Sequence, residues 1–339
     1  MPIDAGGSIV NDQRDRRIED LALIGNTHSA AIVTHDGTIE WLCLPRFDSP
    51  ALFAALLGTD ANGSWRMAAA DPAARRSRGY RPGTAILQTT FATDTGTATI
   101  IDFMPVPESE NQIDLIRIVR GDAGSIDMAM ELRFRFDYGR STPWLRRTEQ
   151  GLTAIAGPDA VQLVTGVALD NRDFATFANF RVAAGETRAF TLTWFPSHLN
   201  PPHPRDPFPL LDETELRWRG WIARSDYDGP WRVLVERSLI TLKTLTYRPT
   251  GGIVAAATTS LPEMIGGPRN WDYRYCWLRD STVTLYALLT SGYRDEAAAW
   301  CAWLMRAAAG SPEELQIMYS IKGARRLTEL ELTWLAGFR

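Results

Sequence analysis

The chain has 339 residues, of which 45% are hydrophobic and 22% are charged, an ordinary composition for a globular protein. Its length is enough for about two domains, each large enough to bury a core. The formal net charge is −4, from 36 basic and 40 acidic residues. This balance argues against a nucleic-acid or anionic-membrane partner, because both require a concentrated basic surface.

Cysteine and histidine, the residue types that most often bind transition metals, are scattered along the chain. Cys43, Cys276 and Cys301 lie far apart, and the four histidines, His28, His35, His198 and His203, are scattered. No pair of cysteines has the spacing of metal ligands, and an odd number of cysteines argues against a disulfide framework. We therefore expect neither a metal site nor another cofactor.

The amino terminus, MPIDAGGSIVNDQRDRR, has no apolar segment of the kind found in secretory signals. No apolar run reaches the roughly 20 residues that span a membrane as a helix. The cytoplasm is therefore the expected compartment.

Residues 30–195 carry short strand patterns separated by turn residues. AAIVTH and TIEWLC flank Asp36-Gly37, a strong hairpin signal, and TAILQTTFAT and TATIIDFMP flank Asp94-Thr95-Gly96. Further runs rich in β-branched residues follow at similar intervals. The pattern predicts an antiparallel β-sandwich, interrupted by one helical patch at Ala51–Leu57.

A proline-rich segment, PSHLNPPHPRDPFP, follows at residues 196–209. Proline continues neither the interior of a helix nor a central strand, so we place a domain boundary there or shortly afterwards. The resulting prediction is a sandwich domain over residues 1–210, a linker over 211–230 and a second domain over 231–339.

The second domain has the periodicity of helices. Trp231–Tyr247 carries apolar residues at close to helical spacing. Asp280 is placed to cap a helix that runs to Ser291 and is ended by Gly292. The fold class predicted here is therefore α+β and multidomain, with helices that begin a larger assembly.

The densest group of chemically active side chains is GGPRNWDYRYCWLRDS, at residues 266–281. Arg279 and Asp280 are adjacent and offer both donors and acceptors for vicinal hydroxyls. Four aromatic residues precede them, and such rings suit the mixed apolar and hydroxyl faces of a sugar. These are Trp271, Tyr273, Tyr275 and Trp277. The alternative is a buried aromatic cluster in which Asp280 is only a helix cap and Arg279 pairs with an acid.

Three segments resemble bacterial members of glycoside hydrolase family 15, the glucoamylase and trehalase-like enzymes. They are residues 18–58, the motif SLPEMIGGPRNWDYRYCWLRDS at 260–281, and residues 315–338. The resemblance implies a β-sandwich followed by an (α/α)6 toroid, incomplete in this chain. It also implies an α-linked glucoside as substrate, cleaved with inversion.

The resemblance assigns a binding role to four residues. In the family motif W-x-R-D, the residues matching Arg279 and Asp280 bind hydroxyls of the glucose at the non-reducing end. Tyr273 and Trp277 match residues near the same subsite. The family's two catalytic carboxylates lie on later helices, so no catalytic residue is assigned here. Glu329 and Glu331 match no catalytic motif and are interpreted as solvated or capping residues.

Three functions stay open at this point. The first is an inverting hydrolase of malto-oligosaccharides or trehalose, present as a truncated chain that is inactive alone. The second is a non-catalytic sugar-binding remnant of the same fold. The third is a related inverting disaccharide phosphorylase. In each case the expected partner is a carbohydrate, and the sequence does not indicate an oligomeric state.

Overall fold

The computed structural model describes residues 17–264, 267 and 269–338. The first half of this part is almost entirely β-structure, and the second half is mainly helical. The first sixteen residues of the predicted sandwich domain, and Ile265, Gly266 and Pro268 of the densest motif, lie outside the described residues.

Among the described residues, fifteen antiparallel strands form one connected sheet within residues 21–196, which we call the β half. They are β1 Leu21–Gly25, β2 Ala30–Thr34, β3 Thr38–Cys43, β4 Ala51–Phe53, β5 Ser64–Ala69, β6 Arg75–Tyr80, β7 Leu87–Ala92, β8 Gly96–Phe103, β9 Ile113–Arg133, β10 Trp144–Thr148, β11 Gly151–Ala156, β12 Asp159–Thr165, β13 Asp170–Arg172, β14 Ala175–Ala183 and β15 Thr187–Pro196. The prediction of antiparallel β-structure before residue 196 is confirmed.

Strand β9 divides this sheet into two layers. It is 21 residues long, and its residues 113–124 pair with β8 and β15. Its residues 125–133 pair instead with β5 and β14. One layer therefore has the order β1-β2-β3-β5-β9-β14-β13, and the other has the order β6-β7-β8-β9-β15-β12-β11-β10.

A hydrophobic core lies between the layers. Trp65 and Met67 of β5 belong to the same cluster of buried residues as Phe91 of β7 and Phe190 of β15. Buried and half-buried residues alternate along β7, as expected of a strand with one face on a core. The two layers therefore stabilise each other by apolar burial.

The predicted hairpin at Asp36-Gly37 is present between β2 and β3. Gly37 has φ 83°, a conformation that favours glycine, and a Cβ at this position would collide with the carbonyl of Met67. The turn around Asp94-Thr95-Gly96 likewise joins β7 to β8. The turn residues in the sequence therefore predicted both hairpins correctly.

The prediction of a helical patch at Ala51–Leu57 is wrong. Ala51–Phe53 is β4, which pairs with β3, and Ala55–Leu57 is one 3₁₀ turn. All of the residues from Ala51 to Leu56 are buried. An exposed amphipathic helix needs a polar face, and all of the residues in this segment are apolar.

The linker predicted over residues 211–230 contains most of a helix, α1 Pro207–Ile222. The side chain of Asp206 caps it by accepting a hydrogen bond from the Phe208 N–H at 3.0 Å. Prolines 207 and 209 fall in the first turn, where no intrahelical N–H donor is needed. Trp218 and Ile222 bury the inner face of α1 against Ala85 of the β half. The division into two domains itself stays a prediction.

The remaining elements begin with α2 Arg232–Thr244, which confirms the helix predicted within residues 231–247. Helix α3 is Leu278–Leu289 and α4 is Arg294–Ala307. Gly292, at φ 90°, follows α3, and the N–H groups of Gly292 and Tyr293 donate to the carbonyls of Leu289 and Leu288. This closure by Gly292 was predicted.

Two short antiparallel pairs complete the strands of the described residues: β16 Thr246–Tyr247 with β17 Gly252–Ile253, and β18 Cys276–Trp277 with β19 Met318–Tyr319. None of the described helices combines the length and the apolarity needed to cross a bilayer.

Candidate functional site

Residues 271–277, which we call the aromatic loop, lead directly into α3. The ring of Trp277 meets those of Trp271 and Tyr273 edge-on, with centroids 5.8 and 5.6 Å away. The Trp277 Nε1–H also donates to the carbonyl of Asp272 at 2.9 Å. These contacts hold three partly exposed rings in a fixed arrangement at the start of the helix.

Arg279 and Asp280 occupy the first turn of α3. The Arg279 side chain is 79% exposed and that of Asp280 is 30% exposed, and Arg279 Nη2 lies 3.4 Å from Asp280 Oδ2. This long, exposed contact leaves most of the donors and acceptors of the pair free for another molecule. The arrangement suits a ligand with several hydroxyl groups.

The prediction that Asp280 caps α3 is wrong. The helix begins at Leu278, and the capping position is held by Trp277 without a side-chain hydrogen bond. Asp280 is the third helical residue, so its carboxylate contributes only the general attraction between an acid and the positive end of a helix. The carboxylate is therefore not committed to the backbone.

The segment at 315–338 supports the aromatic loop from one side. Strand β19 pairs with β18, and the Leu278 N–H donates to the carbonyl of Ile317 at 3.1 Å. The tail of the same segment packs on the β half, where Leu332, Leu335 and Phe338 contact a cluster that includes Trp41. The structure therefore brings together all three segments on which the family resemblance depends.

Arg274 is a further residue at this site that the sequence did not reveal. It lies in the middle of the aromatic loop and is only 4% exposed. Its guanidinium donates to both carboxylate oxygens of Asp272, at 3.0 and 2.6 Å, and to the hydroxyl of Tyr138 at 2.7 Å. Tyr138 is distant in the sequence, so no local pattern could have indicated this contact.

The environment of Arg274 keeps it charged. Burial acts to lower the pKa of Arg274, but Asp272 and the other hydrogen-bonding neighbours outweigh it and hold the pKa well above the usual range. Burial also raises the pKa of the nearby Cys43 thiol to about 11, so this thiol is neutral at physiological pH. The ion pair between Arg274 and Asp272 is therefore the charged centre of the aromatic loop.

Two family models match the sequence. The model for the trehalase-like N-terminal domain matches residues 8–179, and the model for glycosyl hydrolases family 15 matches residues 229–339. The chain belongs to the trehalase-like and glucoamylase-like proteins of glycoside hydrolase family 15. The predicted family is confirmed.

Curated relatives of this family-15 chain include two mycobacterial trehalases. It is 34% identical to the trehalase of Mycobacterium tuberculosis (strain ATCC 25618 / H37Rv), over 95% of this chain and 51% of that protein. It is 35% identical to the trehalase of Mycolicibacterium smegmatis (strain ATCC 700084 / mc(2)155), over 95% of this chain and 52% of that protein. The chain therefore spans about half the length of the relatives that it matches.

A bacterial glucoamylase solved in complex with acarbose has a similar structure. The TM-score is 0.64 at 13% sequence identity, over 92% of this chain and 53% of that chain. At this identity the likeness concerns the fold alone, and it confirms a glucoamylase-like arrangement of an antiparallel sheet followed by helices.

The residues predicted for sugar binding in this family-15 chain fall into two contacting pairs. Tyr273 meets Trp277, and Arg279 meets Asp280, all of them on the aromatic loop or the first turn of α3. Glu329 and Glu331 are exposed. Among the described residues there is no group of three or more His, Cys, Asp or Glu side chains that could hold a metal ion.

Proposed function

We propose that this chain is the amino-terminal part of an inverting glycoside hydrolase that acts on α-linked glucosides. The observation that supports this most directly is the exposed pair Arg279–Asp280 beside partly exposed aromatic rings at the start of α3. The names of the curated relatives favour trehalose as the substrate over malto-oligosaccharides.

Each of the four residues has a distinct role in this proposal. Arg279 donates to sugar hydroxyls, and Asp280 accepts from them through charge-assisted hydrogen bonds. The rings of Tyr273 and Trp277 pack against the apolar face of the same sugar. The substrate glucose therefore sits over the first turn of α3, with the aromatic loop at its side.

We also propose that α2, α3 and α4 are the first helices of an (α/α)6 toroid. Val283, Tyr286 and Leu289 of α3 are 68%, 72% and 51% exposed and recur at helical spacing, opposite the buried Leu285 and Leu288. A helix face that meets water is normally polar, so this apolar face fits one that packs against further helices.

Exposed apolar side chains also occur on α2 and α4, at Val233, Leu234 and Met305. The relatives are about twice as long as this chain, which leaves enough residues for such helices.

The catalytic carboxylates belong, in this proposal, to that further part of the protein. Inversion requires a general acid and a general base whose carboxyl groups are roughly 6.5–9.5 Å apart, with a water molecule between base and sugar. We call this chain together with the part that carries those two groups the complete enzyme.

The decisive experiment incubates the complete enzyme with trehalose or maltose and follows the anomers by ¹H NMR. Inverting hydrolysis of trehalose yields α-glucose and β-glucose in equal initial amounts, because only one of the two glucose units is attacked. In a parallel reaction that contains inorganic phosphate, formation of glucose 1-phosphate would instead identify a phosphorylase. Binding of either sugar without turnover would identify a sugar-binding protein.

A further inference from the structure

The aromatic loop is fastened to the β half at its centre. Besides Tyr138 and Asp272, the guanidinium of Arg274 donates to the carbonyl of Ser49 at 2.8 Å. It also lies 5.6 Å from the ring centre of Trp41 and 5.3 Å from that of Tyr138. A buried cation is costly unless its donors are satisfied, and here partners from two separate parts of the β half satisfy them.

The partner Tyr138 is itself held in an unusual backbone conformation. Asp137, Tyr138 and Gly139 have φ values of 50°, 56° and 90°, so two residues with side chains adopt the left-handed region in succession. The Tyr138 N–H donates to Ala51, and its carbonyl accepts a hydrogen bond from Trp334. Successive left-handed residues are typical of tight turns, and these two hydrogen bonds hold the turn in place.

This turn holds the Tyr138 hydroxyl in a fixed position against the aromatic loop. Tyr138 is 3% exposed, and its hydroxyl meets Arg274 in the interior. Tyr273, directly before Arg274 in the chain, and Trp277, three residues after it, form the proposed sugar-binding edge. Any shift of Arg274 therefore moves those rings relative to the first turn of α3.

We propose that Arg274 is a positioning residue for sugar binding. Its hydrogen bond to Tyr138 of the β half sets the position of the aromatic loop relative to the substrate. This inference rests on the proposed function. It assigns the β half a part in substrate binding without contact with the sugar. Sites of this kind tolerate displacements of only about 0.5 Å, because the supporting residues set the geometry of those that touch the ligand.

The test uses two pairs of variants in the complete enzyme. Tyr138→Phe and Arg274→Lys weaken the proposed contact. The matched controls are Tyr80→Phe and Arg237→Lys, since Arg237 of α2 lies 4.1 Å over the ring of Tyr80 in the β half.

The control contact resembles the proposed one in its chemistry. The Tyr80 hydroxyl is hydrogen-bonded to the backbone of Leu23, and Arg237 donates to the carbonyl of Thr84. The contacts of Arg237 also join the two halves, the Tyr80 hydroxyl bonds lie within the β half, and none of these contacts is to the aromatic loop. Each variant is assayed for kcat, KM and melting temperature, and hydrogen exchange is measured over residues 271–280.

We expect Tyr138→Phe to lower kcat/KM roughly 10-fold and Arg274→Lys roughly 100-fold, because a displacement of about 1 Å can cost 10²-fold. Exchange over residues 271–280 should accelerate in both. The control variants should stay within about 3-fold of the wild type in kcat/KM, even where they lower the melting temperature equally.

Equal kinetics in the two pairs at equal loss of melting temperature would show that Arg274 is only structural, and would leave the proposed function standing. If the wild type cleaves no α-glucoside, the proposed function fails. Hydrogen exchange then decides the inference: acceleration confined to the Tyr138 and Arg274 variants supports loop positioning, and unchanged exchange refutes it.

Discussion

Asp102 of β8 and Arg117 of β9 form an ion pair whose two side chains have no exposed surface. Arg117 Nε lies 2.8 Å from Asp102 Oδ1, and Nη2 lies 3.2 Å from Oδ2. The remaining guanidinium donors reach the carbonyls of Trp65 and Gly37 at 2.8 and 2.7 Å. The pair thus connects one layer of the β half to the turn between β2 and β3 in the other.

Replacing Asp102 by Asn should destabilise the β half strongly. The amide keeps the shape of the carboxylate but leaves the Arg117 charge buried without its counter-ion, a loss that typically costs about 3–5 kcal/mol. Chemical denaturation of the 339-residue chain measures the change in the free energy of unfolding. Asp127→Asn is the control, because its pair with Arg181 is exposed and should matter little. Equal losses in the two variants would contradict the role given to burial.

The sequence predicted those parts of the fold that depend on local chemistry. The Asp36-Gly37 hairpin, the turn before Gly96 and the end of α3 at Gly292 all follow from residues within a few positions of each other. Helix α1 is not predicted because proline normally ends a helix, whereas the prolines of α1 lie in its first turn, where they are tolerated. The strand Ala51–Phe53 was missed because a short, wholly buried segment has no periodicity to show.

The candidate site, too, could be predicted from the sequence only in part. Tyr273, Trp277, Arg279 and Asp280 could be named because the motif that contains them is contiguous. Arg274 stands in that same motif, yet its meaning depends on Tyr138, 136 residues earlier in the chain. Contacts of this kind become visible only when the β half and the loop are placed together.

The 339-residue chain alone should hydrolyse neither trehalose nor maltose at a detectable rate. General acid–base catalysis contributes roughly 10²–10⁴-fold for each group, and in the proposed function both groups lie in the rest of the protein. Glucose release by the purified chain, with the complete enzyme as positive control, is the measurement. Turnover that co-purifies with the chain would mean that the two carboxylates lie within it.

His28 should make the chain less stable in acid. Burial lowers its pKa from 6.5 to about 4, so the folded state binds fewer protons than the unfolded state between these values. The contribution of neutral His28 to the free energy of unfolding is therefore fully present above pH 6.5 and is lost as the pH falls towards 4. At about 1.4 kcal/mol for each pKa unit, the loss reaches about 3 kcal/mol.

His28→Phe keeps a ring against Tyr247, which His28 meets edge-on at 5.5 Å, but cannot be protonated. Unfolding free energies at pH 7, 5.5 and 4.5 should fall less in this variant than in the wild type. The exposed His198, changed to Phe, should leave the wild-type pH dependence in place. A parallel fall in both variants would contradict the assignment to His28.

Asp280→Asn in the complete enzyme should reduce activity far more than it reduces stability. The amide preserves the shape of the side chain but removes the charge that strengthens its hydrogen bonds to sugar hydroxyls, worth about 1.5–3 kcal/mol. That range corresponds to a fall in kcat/KM of roughly 10- to 150-fold. The matched control is Asp295→Asn, because Asp295 is also an acid in the first turn of a helix and loses the same attraction to the helix end. Melting temperatures of the two variants should agree, whereas only Asp280→Asn should lose activity. Unchanged kcat/KM in Asp280→Asn would show that this carboxylate serves the helix and not the substrate.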